Sequence, residues 1–425
     1  MSERGLETRQ FGHRARLALS PALAVKADDQ AHAARTMWNL LHAWWQMMPK
    51  EKRTLANADA AIRQARQDID FLAVLPAQAA QAVLKTYFQA WKNCWAGRAD
   101  APNFKARFRS TLTVDVPQGR DLNIVRVHRR WGMASLLKIG RVRFRWTKDL
   151  PVGKQPGKEN RITGARLVKD TLGWHIAFRV QTLERVPDAH QGPQVGIDVG
   201  ITVPLALSDG QTYEHGEWLT SREQARLLGL EQRAAQREKR RKPGERTSRR
   251  LHHTYDQIAG LRAKAKRRAL DWQHKTTTDI ARTYSVAVVE ALQITMVKSA
   301  RGTIEEPGKN VAQKSGLNRS ISGEAWGRTV TMLTYKLARQ GGTLAKVPAP
   351  GTSRRCSACG LTTPSSRQTQ ALFVCRNSDC GWSGNADHNA ARNILHLYRM
   401  GHALIPAAGR AVARRAPRVQ PATAR

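Results

Sequence analysis

Residues 375–393 read CRNSDCGWSGNADHNAARN, a stretch that sets two cysteines, a glycine turn and an Asp-x-Asn-Ala-Ala run in direct succession. Upstream, Cys356 and Cys359 form another pair, and fifteen residues separate Cys359 from Cys375. Cys356, Cys359, Cys375 and Cys380 thus have the spacing of one tetrahedral Zn²⁺ site, and Gly360 and Gly381 ease the turn after each pair. Four thiolates leave no open position, so one zinc ion is expected to hold the fold and perform no chemistry; a reactive dithiol is the alternative. Directly after the second pair, Asp387 opens the helical stretch ADHNAARNILHLYRM, where the positive end of the helix dipole favours an anion.

Two more acids stand out. Asp198 lies inside the otherwise apolar strand VGIDVG, where an unpaired charge costs several kcal/mol, and Glu290 ends the β-branched run SVAVVE. Each has an ordinary reading: Asp198 accepting backbone N–H bonds, Glu290 on the surface, Asp387 as a helix-start acid. Together they point further. Two adjacent strands and the first turn of a helix packed on their sheet bring three carboxylates within reach of two Mg²⁺, the hard cations that activate water and stabilise the leaving oxygen in phosphodiester cleavage.

Composition supplies a substrate. Lys and Arg number 71 against 33 Asp and Glu, and a net charge of +38 repels itself unless a polyanion neutralises it, so a nucleic acid is the expected partner. A chain of 425 residues with 41% apolar content and twelve tryptophans folds and divides into two to four domains. Four of the five cysteines cluster and Cys94 stands alone, a pattern of metal binding and not of disulfides. MSERGLETRQ lacks a signal-peptide pattern and no run of 18 or more apolar residues occurs, so no membrane partner is expected and the location should be cytoplasmic and nucleoid-associated.

Along the chain, QFGHRARLAL (10–19) reads as a strand. A helix follows with Asp28 or Asp29 as N-cap and Ala33, Met37, Leu41, Trp44 and Met48 on one side. Helical stretches at about 57–72, with Ile62 and Ile69, and 77–95, with Val83, Leu84, Tyr87 and Trp91, are divided by Pro76. In RVRFRWT, Val142, Phe144 and Trp146 alternate with Arg141, Arg143 and Arg145: either a sheet face that meets phosphates or a half-buried strand with solubilising arginines. Residues 161–182 form a hairpin around Asp170 and Thr171, and Pro187, Gly192 and Pro193 mark a linker.

From 194 the pattern turns α/β. QVGIDVG is a buried strand, LALSDGQTYEHG a hairpin turning at Asp209-Gly210, and Ser221 with Gln224 a capping box opening a long helix. Pro243 and Gly244 break that helix and it resumes near Ser248, with Leu251, Tyr255, Ile258, Leu261, Ala265, Ala269 and Trp272 on one face of a helical hairpin. Eight Lys or Arg lie between 237 and 250 and five more between 262 and 268, beyond what solubility requires; phosphate contact is expected at Arg262, Lys264, Arg267 and Arg268. The polar stretch 297–322 is long enough for a lid loop, Trp326, Val330, Leu333 and Leu337 give another helix, TLAKVP the next strand, and the last twenty residues a basic tail.

In this order, GIDVGITVPLALSDG, VVEALQ, TSRRCSACG and CRNSDCGWSGNADHNAARNI resemble the split RuvC-type nuclease of the TnpB/OrfB transposon proteins and the related compact type V CRISPR effectors, over roughly residues 190–396. The resemblance implies a multidomain α/β plus α+β chain: an RNase H-like (RuvC) core with a zinc-ribbon insertion, and an N-terminal wedge β-barrel interrupted by a helical recognition lobe. The wedge would span 1–26 and 100–190 and the lobe 27–99. The nuclease would span 191–350 and 382–400 with a basic helical hairpin at 221–284, the ribbon 351–381 and the tail 401–425. It further implies Asp198, Glu290 and Asp387 as catalytic acids holding two Mg²⁺, the four cysteines as ligands of one structural Zn²⁺, a guide RNA and a target DNA as partners, and a monomer or homodimer. Many relatives carry an acid or amide where this chain has Ala291, and aspartate where it has Asn385, but no catalytic acid is lost.

The expected activity is therefore RNA-guided, Mg-dependent DNA endonuclease action, transposon-associated or of the CRISPR type. The competing readings are an RNA-independent transposase or integrase-like nuclease, an RNA-guided DNA-binding repressor, and a plain zinc-ribbon binder. A repressor would lack one of the acids, and a ribbon binder leaves the buried Asp198 without a cause.

Overall fold

The computed structural model describes residues 5–107, 110–152, 159–242, 244–292 and 310–404. They fall into two compact units, one up to Arg185 and one from Val186 onward.

The first unit opens with β1 (Leu6–Ala18) and α1 (Pro21–Met47), followed by α2 (Leu55–Asp68), α3 (Asp70–Ala73) and α4 (Ala77–Trp95). It closes with β2 (Thr113–Val116), β3 (Val125–His128), β4 (Trp131–Leu136), β5 (Gly140–Arg145), β6 (Arg161–Asp170) and β7 (Gly173–Arg185). These strands form a seven-stranded sheet in the order β2-β6-β7-β1-β5-β4-β3 with antiparallel neighbours throughout. β1 serves two neighbours, pairing with β7 from Leu6 to Arg16 and with β5 at Leu17 and Ala18. Period-2 alternation turns Ala15, Leu17, Val142, Phe144, Ile176 and Phe178 inward and leaves Arg14, Arg16, Arg141, Arg143 and Arg145 outside. Trp146 is buried beyond the end of β5, and the 161–182 hairpin turns at Thr171-Leu172.

The helices share one hydrophobic cluster with that sheet. α1 starts eight residues before Asp29, because Ser20 accepts from the Leu23 N–H and Pro21 takes the first turn, where its missing N–H costs nothing. Asp28 is no cap: it accepts from Lys169 Nζ at 2.6 Å and from Trp174 Nε1 at 3.2 Å. Met37, Trp38, Leu41 and Trp45 bury against Leu84 and Tyr87 of α4, whereas Trp44 is half-buried and Met48 ends the helix as its C-cap. Thr54 caps α2, and Ile69 is 40% exposed between α2 and α3.

The second unit contains β8 (Gln194–Val199), β9 (Leu205–Leu207), β10 (Thr212–Tyr213), α5 (Ser221–Lys239), α6 (Arg249–Thr283), β11 (Val286–Glu290), α7 (Val311–Glu324), α8 (Trp326–Arg339) and β12 (Thr343–Val347). A small hairpin, β13 (Leu372–Val374) and β14 (Ser383–Asn385), leads into α9 (Ala386–Arg399). The main sheet runs β10-β9-β8-β11-β12, with β8, β11 and β12 parallel and the other pairs antiparallel.

Alternation along β8 and β11 sends Val195, Ile197, Ala287 and Val289 into a cluster with Ile280 of α6 and Leu333 and Leu337 of α8. Val288 faces the other way, onto Ile394 and Leu395 of α9. Gly196 lets α9 approach, since a Cβ there would sit 2.1 Å from the Ala391 carbonyl oxygen and 2.8 Å from the Leu395 nitrogen.

Three local expectations shift. The capping box belongs to Thr220 and Glu223, one residue before the expected pair. In the α5–α6 hairpin Tyr255 is 41% exposed, while Leu230 and Ala234 of α5 pack on Leu251, Ile258 and Leu261 of α6. Residues 297–309 of the expected lid loop lie outside the described residues, and 311–324 form α7 in place of a loop. Pro243 and the tail from 405 also lie outside them.

Candidate active site

Alternation carries Gly196 and Asp198 of β8, and Val288 and Glu290 of β11, to the face covered by α9. The parallel register pairs Val288 with Gly196 and Val289 with Ile197, so the next step sets Glu290 beside Asp198. α9 contributes Asp387 from its first turn. There Asn385 caps the helix, its Oδ1 accepting from the N–H groups of Asp387 at 2.9 Å and His388 at 3.1 Å. This amide closes the helix end. His388 Nδ1 meets the Leu207 carbonyl oxygen at 2.9 Å and ties α9 to β9.

Asp198 senses the other two carboxylates. Burial, then Glu290, then Asp387 push the Asp198 carboxyl up to about 7, against the opposing pull of Arg367. Burial raises Glu290 as well, and a hydrogen bond from Thr352 offsets part of that. A half-buried set of acids with more negative than positive charge has the donor chemistry that hard divalent cations such as Mg²⁺ prefer.

Two residues here carry no local sequence signal. Arg367 donates to Asp387 Oδ1 at 3.0 Å and to the Gln370 carbonyl at 2.8 Å. Thr352, 4% exposed, donates its hydroxyl to Glu290 Oε1, while its carbonyl accepts from Asn393 Nδ2 of α9 at 2.9 Å.

Among the described residues, Cys356, Cys359, Cys375 and Cys380 are the set whose ligand atoms all lie within 4.8 Å of one another. Four sulfurs so placed fit a tetrahedral Zn²⁺. The N–H of Leu361 leads the effects that lower the Cys359 thiol below the usual thiol range. Two fully buried amides of α9 bind this knuckle: Asn389 donates to the Arg355 carbonyl at 2.7 Å and accepts from the Ser357 N–H at 2.8 Å, and Asn393 also donates to the Arg355 carbonyl at 2.7 Å.

The sequence-derived nucleic-acid residues occupy separate surfaces. Arg141, Arg143 and Arg145 are exposed on β5. On α6, Arg262 pairs with Glu231 at 2.6 Å, and Lys264 at 3.6 Å and Arg268 at 2.5 Å both pair with Glu223. Arg267 is half-buried on the same helix. No helix among the described residues is long and apolar enough to cross a membrane.

Comparison with known proteins gives two family matches: residues 175–301 to the family described as "Probable transposase" and residues 326–394 to "Cas12f1-like, TNB domain". The chain is 32% identical over 332 residues to the "Putative RNA-guided DNA endonuclease InsQ" of Escherichia coli (strain K12), covering 78% of this chain and 76% of that protein. It is 45% identical over 62 residues to the "CRISPR-associated endodeoxyribonuclease Cas12f1" of Sulfoacidibacillus thermotolerans, 15% of this chain and 14% of that one. A cryo-EM structure of a Cas12f1–sgRNA–target DNA complex aligns over 88% of this chain and 81% of that chain, with a TM-score of 0.48 and 13% identity.

Proposed function

The chain belongs to the family of TnpB/OrfB transposon proteins and compact type V CRISPR effectors, and from that premise we propose that it is an RNA-guided DNA endonuclease whose RuvC-type site hydrolyses phosphodiester bonds of a target strand. One observation carries the chemical half of this reading: Asp198, Glu290 and Asp387 come from two neighbouring strands and a helix start, and burial, with the other two acids adding to it, raises the Asp198 carboxyl. The sheet order β10-β9-β8-β11-β12, with its antiparallel half and its parallel half, supports an RNase H-like core.

The three acids would hold two Mg²⁺. When bound, these ions supply an activated water and charge stabilisation at the leaving oxygen. The chain's own groups prepare that site. Asp198 must shed a proton before it can ligate, since burial beside two other acids keeps it protonated up to about neutral pH. Thr352 holds Glu290 in one orientation, and Arg367 fixes Asp387 and offsets part of the local negative charge. The zinc ribbon would be structural, keeping the chain before α9 in place.

The seven-stranded sheet and helices of the first unit would form the wedge and recognition lobe that grip guide and target. Arg141, Arg143 and Arg145, and on the α6 arm Arg262, Lys264, Arg267 and Arg268, would provide phosphate contacts.

The test is cleavage of a matched DNA target by the purified protein–RNA complex in Mg²⁺, beside a binding measurement on the same target. Asp198→Ala should bind and not cut; a mutant that still cuts overturns the assignment. Wild-type cutting that persists after complete removal of RNA would select the RNA-independent transposase-like reading, to which the "Probable transposase" match also points.

A further inference from the structure

Between the end of β1, β5 and the β6–β7 turn lies a groove of about 520 Å³, lined by Leu17, Leu172, Trp131 and Trp174 and rimmed by Arg16 and Arg145. Its size suits one small planar ligand. Its charge is unusual for an exposed sheet. Arg145 lies opposite Trp131 in the β4–β5 ladder, and the guanidinium carbons of Arg143 and Arg145 sit 4.8 and 4.5 Å from the centroid of that one indole. The β1–β5 register, which pairs Leu17 with Phe144, brings Arg16 alongside Arg145 on the next strand.

Like charges facing each other across strands destabilise a sheet. Lys169, also on the rim, is neutralised by Asp28 at 2.6 Å. Among the described residues, no carboxylate lies within 4.0 Å of the Arg16, Arg143 or Arg145 guanidinium groups. An anion bridging them would relieve the repulsion, and an aromatic ring would cover the exposed part of the floor.

One ligand class brings an anion and a flat apolar ring together at this spacing. We propose that the groove holds a single unpaired nucleotide, its base stacked on Trp131 and its phosphate between Arg16 and Arg145. Stacking of the base releases a guanidinium from the indole to the phosphate beside it. A paired, stacked base offers no free face, so the groove selects against duplex. This inference rests on the reading of the chain as an RNA-guided nuclease, whose guide and opened target both supply unpaired nucleotides.

The experiment measures affinity of the full-length chain for a short single-stranded RNA, a single-stranded DNA of the same sequence and the corresponding DNA duplex. Trp131→Ala should lose about tenfold on single strands and less than about twofold on duplex, with Trp131→Phe retaining most of the affinity. Arg16→Gln combined with Arg145→Gln should lower the single-strand salt slope by roughly 0.7, the share of the one phosphate no longer neutralised. A loss confined to RNA assigns the nucleotide to the guide, one confined to DNA assigns it to the target, and equal losses on both show a site indifferent to the sugar. An equal loss on duplex, or no loss on either single strand, overturns the proposal. Should Trp131→Ala fail to fold, the double arginine variant, which touches exposed side chains only, decides. Guided cleavage by the wild type is scored separately, so a groove that fails these arms leaves the carboxylate site standing, and the reverse.

Discussion

The Thr352 hydroxyl donates to a carboxylate oxygen of Glu290 across 62 residues of sequence, and the Thr352 carbonyl is itself held by Asn393. One threonine thus joins the acid at the end of β11 to the helix that carries Asp387. Groups that orient metal-binding carboxylates typically contribute tenfold to a hundredfold in activity. Thr352→Val should therefore lower Mg²⁺-dependent cleavage by about that range, and Thr352→Ser should restore most of it. Because the Thr352 bond holds the Glu290 carboxyl down, its loss should also move the acid limb of the pH–rate profile to higher pH. Thr352→Val with an unchanged profile would reduce the residue to packing.

Metal-free stability should depend on pH in the direction opposite to that of ordinary paired carboxylates. The Asp198 carboxyl rises in the fold from 3.8 to about 7, so the folded chain keeps a proton that the unfolded chain loses as pH passes 4. Stability in a chelating buffer should fall as pH climbs from about 4 to about 7 and then level off. Asp198→Asn removes the titration, so at pH 8 without Mg²⁺ the variant should be more stable than wild type by roughly 4 kcal/mol, with the gap closing in acid. Denaturant melts of both proteins at the two pH values check this, and a gap that stays constant would contradict it.

Zinc should be present at one ion per chain by elemental analysis of folded protein. Cys380→Ser should destabilise the region after β12 and lower cleavage indirectly, while binding through the first unit survives. Folded, active protein without zinc would refute the ligand set.

Nucleic-acid affinity should fall by about 10³ or more between roughly 50 and 200 mM salt if six or more phosphates are contacted. Reversing the charge of Arg262, Lys264, Arg267 and Arg268 together would lower a duplex slope by about 3.6 if each met one phosphate fully. Three of the four are shared with Glu223 or Glu231, so a smaller fall is expected. No change in slope would remove the arm from the phosphate contacts.

What the sequence made legible was chemistry that repeats at short range: the cysteine spacing, the lone acids ending apolar strands, and the Arg-x-Arg-x-Arg alternation of β5. Its misreadings arose where two local solutions were nearly equivalent. Thr220 with Glu223 and Ser221 with Gln224 have almost the same capping chemistry, and only the chain path selects one. Asp28 resembled an N-cap because its partners, Lys169 and Trp174, lie about 140 residues away. Arg367 and Thr352 stayed invisible for the same reason, since each acquires meaning only when a distant carboxylate arrives.

The buried amides of Asn389 and Asn393 make the ribbon a poor candidate for exchange as a cassette. Their acceptors are main-chain carbonyls of Thr352 and Arg355, so a transplanted ribbon must reproduce backbone position at the graft seam, whatever side chains it brings.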